Sequence, residues 1–269
     1  MLRIRTLSIL VALCGLCACS FDSTFFPVDV GSDDKPDANQ EDILLVAVDG
    51  HRIHHVLIKP HFSAKATIFV FHGSGSKISN WLKILGTLTE NGNQLFLMEY
   101  RGFGISEGNA SHEAIASDAH RAFRYLINRD DIKNHPVIVV GQSYGAQLAI
   151  NVAAKYPEEV ALLVTEGAFT TFRDIAIHST PWIGKPLTWA FFVNPYSSTE
   201  LIKEASMPKL IIHSQDDELV PFFMGEELFD QANGQKEFWK VRGKHADALV
   251  DFPNEFVWRI NEMAGFAHN

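Results

Sequence analysis

The chain has 269 residues, 46% of them hydrophobic and 20% charged. This is an ordinary globular composition, long enough for one large domain with a sizeable core. The formal net charge of -9 argues against nucleic acid as the main partner.

In chain order, the first segment is unlike the rest. Arg3 and Arg5 precede "TLSILVALCGLCAC", which is nearly all apolar. A basic start, an apolar run and small residues at its end are the pattern of a secretory signal peptide. The run is shorter than the roughly 20 apolar residues that a spanning helix needs, although an uncleaved anchor is the alternative. All three cysteines, Cys14, Cys17 and Cys19, lie here. The rest of the chain therefore has no disulfide framework and no cysteine metal site. Leu16-Cys17-Ala18-Cys19 resembles a bacterial lipobox. The resemblance implies that residues 1–18 are a lipoprotein signal peptide and that Cys19 is the lipid attachment site. Acyl chains on Cys19 would anchor the protein in the bacterial cell envelope. Ser20 at the next position implies the outer membrane, facing the periplasm. A cleaved signal with incidental cysteines is the competing reading. Residues 19–41 are acidic and contain Pro and Gly, which suits a flexible tether. The folded domain is then 42–269.

Two apolar runs, "DILLVAV" (42–48) and "RIHHVLI" (52–58), flank Asp49-Gly50, a hairpin signal. Further runs follow at 66–71, 94–100, 136–141, 161–166, 209–214 and 237–242. Short continuous apolar runs suit strands buried on both faces. Helical patterns lie between them near 78–91, 112–130, 144–156 and 222–232, with a last one near 253–265. A hairpin followed by alternating strands and helices predicts the α/β class: a mostly parallel central sheet with helices on both faces. Such sheets place their chemistry at the carboxyl ends of strands. The link from Glu166 to Lys209 is too long for a simple connection. It carries Trp182, Trp189, Phe191 and Phe192 and is expected to form a small helical cap at about 169–207. A surface excursion packed on its own aromatics is the alternative.

The run "VIVVGQSYGAQLAI" (137–150) puts Ser143 between Gly141 and Gly145 where a strand gives way to a helix. A serine at such a turn leans into an open crevice, and its neighbours at -2 and +2 must be small. The helix that follows aims N–H groups at developing negative charge. A nucleophilic serine needs a base, and the base needs an orienting carboxylate. Downstream, "LIIHSQDDELVPF" supplies Asp216 and Asp217, and "KVRGKHAD" supplies His245. The order serine, acid, histidine is the one this strand–turn–helix arrangement uses.

Five segments together resemble the α/β-hydrolase family: "FHGSGS", "EYRGFGISEG", "GQSYGA", "HSQDDELVP" and "GKH". The resemblance covers roughly 43–265 and is greatest to a branch of small membrane-associated serine esterases and depalmitoylases. It implies an α/β-hydrolase fold, with Ser143 as nucleophile, Asp217 as the acid and His245 as general base. Asp216 is the runner-up acid, and Glu166, at a strand end, is a further candidate. The implied oxyanion donors are the backbone N–H groups of Ser74 and Tyr144, with His72 bracing the oxyanion loop. The expected reaction is hydrolysis of a carboxylic ester or thioester, lipid-like or with a small acyl group, through an acyl-enzyme. It requires no metal and no organic cofactor. The alternatives are a serine peptidase or amidase of the same fold, and a non-catalytic binding protein.

Other features have plainer readings. In "HRIHH", His51 and His55 would share one strand face and His54 the other. That spacing chelates poorly and reads as exposed hairpin polarity. Arg101 suits an anion, or a salt bridge beneath its loop. The cap aromatics suit an acyl pocket or the cap's own core.

Overall fold

Strand β3 (Ala66–Phe71) is buried at all six positions, and its side chains alternate between two separate apolar clusters. Phe69 and Phe71 enter one cluster; Ala66, Ile68 and Val70 enter the other. A strand buried on both faces reads as an unbroken apolar run because neither side meets water. Each such side chain contributes roughly 1.5–3 kcal/mol by leaving water.

The computed structural model describes residues 39–266, apart from 76, 77, 183, 192 and 193. The expected signal peptide, Cys19 and nearly all of the tether lie outside the described residues, as does Phe192. The remaining strands are β1 (Gln40–Val46), β2 (Arg52–Ile58), β4 (Asn93–Met98), β5 (Val137–Gln142), β6 (Val160–Glu166), β7 (Lys209–Ser214) and β8 (Lys236–Val241). They form one sheet in the order β1-β2-β4-β3-β5-β6-β7-β8. β1, β2 and β4 pair antiparallel, and every other neighbour is parallel. The β1–β2 connection is the tight turn expected at Asp49-Gly50. Gly50 takes φ +89° there, a conformation that costs glycine little.

The helices are α1 (Ile78–Ile84), α2 (Gly86–Glu90), α3 (His112–Ile127), α4 (Tyr144–Lys155), α5 (Phe172–Ser179), α6 (Lys185–Phe191), α7 (Ser198–Glu204), α8 (Phe222–Gln231), α9 (Ala248–Asp251) and α10 (Pro253–Met263). Buried residues of α3, α4, α7 and α8 share the cluster of Phe69 and Phe71. Those of α1, α2, α9 and α10 share the cluster of Ile68 and Val70. Helices thus cover both faces, as the apolar runs predict. β3 is where the order reverses: the chain next fills β4 on one side of it and then β5 on the other. Crevices form at the carboxyl ends of strands at such a point.

The pattern near 78–91 is two helices rather than one. Gly86 and the β-branched Thr87 and Thr89 are weak helix formers, and the chain re-aims at Leu85, which is buried with Leu88. In the 169–207 segment, α5 packs on α6. By contrast α7 lies against α4 and α8, within the helical layer on the sheet. An isolated antiparallel bridge between Thr171 and Ser197 ties the two ends of the intervening stretch together. Among the described residues, no helix is long and apolar enough to cross a membrane.

Candidate active site

Ser143 follows the last residue of β5 and precedes the first residue of α4. Its backbone sits at φ 55°, ψ -118°, a strained region for a side-chain-bearing residue. Ser143 N–H donates to the Glu166 carbonyl at 2.8 Å, and Ala146 N–H returns to the Ser143 carbonyl at 3.0 Å. The flanking glycines explain how the turn closes. A Cβ on Gly141 would lie 2.6 Å from Ala146 Cα, and one on Gly145 would lie 2.5 Å from the His72 carbonyl oxygen. Both contacts are with backbone that has nowhere to move.

β3 ends beside this turn. The Cβ that Gly73 lacks would fall 3.6 Å from Ser143 Cβ, so the absent side chain leaves that space open. Ser74 follows, exposed, and Tyr144 opens α4 with its ring buried edge-on to Tyr100 at 5.7 Å. His72 is held from several sides. Its Nδ1 is 2.8 Å from the Gly73 carbonyl, its Nε2 is 3.5 Å from Glu99 Oε1, and Tyr100 Oη donates to its carbonyl at 2.6 Å. The Glu99 carboxylate also accepts Ile78 N–H at 3.2 Å. The bonds to Gly73, from Tyr100 and from Ile78 brace the loop that leaves β3.

His245 Nδ1 stands 2.6 Å from Asp217 Oδ2. The Asp217 side chain is wholly buried while that of His245 is 13% exposed. Asp217 Oδ1 also accepts Leu219 N–H at 2.9 Å and Val220 N–H at 2.8 Å. Burial pushes the Asp217 carboxyl upward, but the bond from His245 and these backbone N–H groups outweigh it and hold it below the ordinary aspartate value. Asp216 turns elsewhere: it pairs with Arg242 at 2.7 Å and accepts Gly243 N–H at 3.3 Å. His213 lies behind the acid, Nε2 3.5 Å from Asp217 Oδ2 and 2.9 Å from the Val220 carbonyl. Burial lowers its pKa, which favours a neutral ring donating to Val220.

Two contacts bring the loop that carries His245 to the serine turn. A Cβ on Gly167 would lie 2.7 Å from His245 Cε1, so the imidazole rests on the residue next to the one that holds Ser143 N–H. Gln142, just before Ser143, donates through Nε2 to the carbonyl of Ala246, just after His245. Ala246 itself takes φ 57°. Glu166 is buried at the end of β6 and accepts Ala248 N–H at 2.5 Å and Gln142 Nε2 at 3.4 Å. Burial pushes its pKa up to about 7. Gln142, Gly167 and Ala246 were not marked by the sequence. Their roles come from contacts between distant segments.

Other expectations change. His55 is not exposed polarity: it is 1% exposed and stacked on Phe96 with ring centroids 5.3 Å apart. Burial lowers its pKa to about 3, so the ring is neutral. Its partner strand, β4, supplies the cover that a hairpin alone would not. Arg101 is a salt bridge, not a free anion site. It donates to both Asp118 oxygens at 2.7 and 2.8 Å and to Asp49 at 2.7 Å. Trp182 and Trp189 are 81% and 67% exposed, so neither is part of a packed cap core. Among the described residues, no group of three or more His, Cys, Asp or Glu is placed to hold a metal ion. A groove of about 570 Å³ lies between Ile58–Phe62 and α1–α2, and it includes none of Ser143, Asp217 and His245.

A family model described as serine aminopeptidase, S33, matches residues 63–196. The α/β-hydrolase domain-containing protein WAV2 of Arabidopsis thaliana is 30% identical over 237 residues, covering 82% of this chain and 77% of its own. Among solved structures, the Pyrococcus furiosus esterase Pf2001 superposes with a TM-score of 0.72 at 18% identity, covering 89% of this chain and 98% of that one. Acetyl xylan esterase 1 from Thermoanaerobacterium sp. gives 0.66 at 19% identity, covering 86% and 87%. These neighbours share the expected fold.

Proposed function

The chain belongs to the α/β-hydrolase family, and from that premise we propose that it is a serine hydrolase cleaving a carboxylic ester or thioester. The observation that carries this reading is the convergence of a strained Ser143 turn with an imidazole bonded to a buried aspartate.

In the proposed reaction, Asp217 accepts the proton on His245 Nδ1 in a hydrogen bond. This fixes the tautomer whose free Nε2 takes the proton of Ser143 Oγ. The oxygen attacks the acyl carbon, and the carbonyl electrons move onto oxygen. Backbone N–H groups of Ser74 and Tyr144 receive that oxyanion, each worth roughly 3–4 kcal/mol in comparable sites. Collapse expels the alcohol or thiol, which takes its proton from His245. Water then attacks the acyl-serine, giving its proton to His245; the bond from the acyl carbon to Ser143 Oγ breaks, Ser143 takes that proton back from His245, and the acid leaves. Asp217 stays ionised throughout, consistent with its lowered pKa.

The finer reading is a lipid-like acyl substrate of the depalmitoylase kind, handled under a cap formed by α5 and α6. Its support is the exposed aromatic surface of Trp182 and Trp189. Lipidation at Cys19 would hold the enzyme at the outer membrane, facing the periplasm, with residues 19–41 as tether. A peptidase reading has its own support in the description of the matching family model.

The test compares residues 20–269 with the Ser143→Ala form on p-nitrophenyl esters from acetate to long acyl chains. The same samples are labelled with a fluorophosphonate and offered aminoacyl-p-nitroanilides. Labelling and ester turnover that vanish with Ser143 are expected, and the preferred chain length reports the acyl pocket. Turnover of the anilides alone would move the assignment to a peptidase. A folded protein showing neither labelling nor turnover would leave only a binding role.

A further inference from the structure

We infer that Glu166 and Gln142 form a clamp that positions His245, holding the stretch of chain that directly follows the imidazole at two points. This extends the proposed reaction, because it gives a role to a buried carboxyl that the triad does not use.

The clamp is built from the ends of two neighbouring parallel strands. Gln142 of β5 and Glu166 of β6 are register partners, so their side chains start from a rigid frame. Gln142 Nε2 donates to the Ala246 carbonyl, one residue after His245. Glu166 Oε1 accepts Ala248 N–H at 2.5 Å, three residues after His245. Glu166 Oε2 accepts Gln142 Nε2 at 3.4 Å, which joins the two jaws. The held stretch needs holding: Ala246 sits at φ 57°, a conformation that costs a residue with a Cβ of order 1 kcal/mol or more.

The backbone of Glu166 also serves the nucleophile, since its carbonyl accepts Ser143 N–H at 2.8 Å. One residue thus references serine turn and base loop to the same strand end. Gly167 completes the seat, because any side chain there would strike the imidazole. Glu166 is not a second triad acid, for His245 Nδ1 is already taken by Asp217 at 2.6 Å. Burial keeps Glu166 partly neutral near neutral pH, which suits a hydrogen-bond acceptor better than a counter-ion for an imidazolium. It is a positioning residue, acting through the loop.

The test uses Glu166→Ala, Glu166→Gln and Gln142→Met. Gln at 166 keeps an acceptor for Ala248 N–H, while Ala removes it; Met at 142 removes only the donor to Ala246. Melting curves, kcat and KM on a p-nitrophenyl ester, and the low-field proton NMR signal of His245 Nδ1–H are measured for each. His245→Ala assigns that signal. The clamp predicts that Glu166→Ala lowers kcat by about 100-fold, the cost typical of a displaced catalytic group. In the folded variant KM should stay near wild type, and the low-field signal should broaden away. Glu166→Gln should restore most of both. Should Glu166→Ala not fold, Gln142→Met carries the test, with a smaller loss of kcat and the same broadening. A sharp signal and wild-type kcat in a folded Glu166→Ala or Gln142→Met protein would overturn the clamp. A wild type without turnover, whose low-field signal is nevertheless lost in Glu166→Ala, would support the clamp and sink the hydrolase reading instead.

Discussion

At Glu166, burial works against the charge that a carboxyl ordinarily carries. Its carboxyl is pushed from an ordinary value of 4.5 up to about 7, chiefly by burial. A folded-state value above the unfolded one means the fold prefers the protonated form. Between about pH 4.5 and 7 the native state therefore holds more protons than the unfolded chain, and stability falls as pH rises through that window. The full effect is of order 3 kcal/mol. Glu166→Gln, which cannot titrate, should flatten the slope. Urea unfolding of both proteins at the two ends of the window measures it; equal slopes would show that Glu166 is not the group responsible. Asp217 has the opposite sign, since its lowered carboxyl contributes stability at neutral pH that is lost only as pH falls below the usual aspartate value of 3.8. The two acids thus leave separate marks on one stability curve.

The elements show which parts of the fold the sequence makes legible. β2, β3 and β7 begin and end where their apolar runs do; in β3, buried at all six positions, the run reads as nearly continuous because neither face meets water. The Ser143 turn is equally legible, since its geometry permits so few residues. A Cβ at Gly145 would meet the carbonyl oxygens of Phe71 and His72, prying β3 from α4. Gly145→Ala should destabilise by upwards of about 3 kcal/mol, beyond ordinary overpacking because backbone must shift. Denaturant titration would register it, and near-wild-type stability would mean that the turn is looser than described. The break at Leu85 was not legible, because short helices on one face keep the same apolar spacing as a single long one. His55 was misread for a related reason: its cover, Phe96, comes from a strand that sequence spacing does not place beside it. Gln142 and Glu166 belong to the same class, since each reaches the base loop across more than 80 residues of chain.

At the scale of the molecule, Ser143, Asp217 and His245 all follow the carboxyl ends of parallel strands, β5, β7 and β8. Gln40 opens β1, an outermost strand of the sheet. The lipobox-like stretch predicts that the protein's address is a membrane. In a bacterial host, Cys19→Ser should move the protein from the detergent phase to the aqueous phase on phase separation and abolish metabolic palmitate labelling. Unchanged partitioning and an absence of label in the parent protein would rule out the anchor. The active-site geometry should be indifferent to the change.

The bridge between Thr171 and Ser197 has a consequence for how such a protein can diversify. Because the two ends of the intervening stretch are already tied together, its length enters the free energy of folding only logarithmically. Doubling it would cost about 0.6 kcal/mol. β6 and β7, which carry the residues before and after, keep their register whatever lies between. The stretch is in this sense an exchangeable cassette on an invariant chassis. α5 and α6 can be rewritten while the serine turn and the Asp217–His245 pair stay fixed.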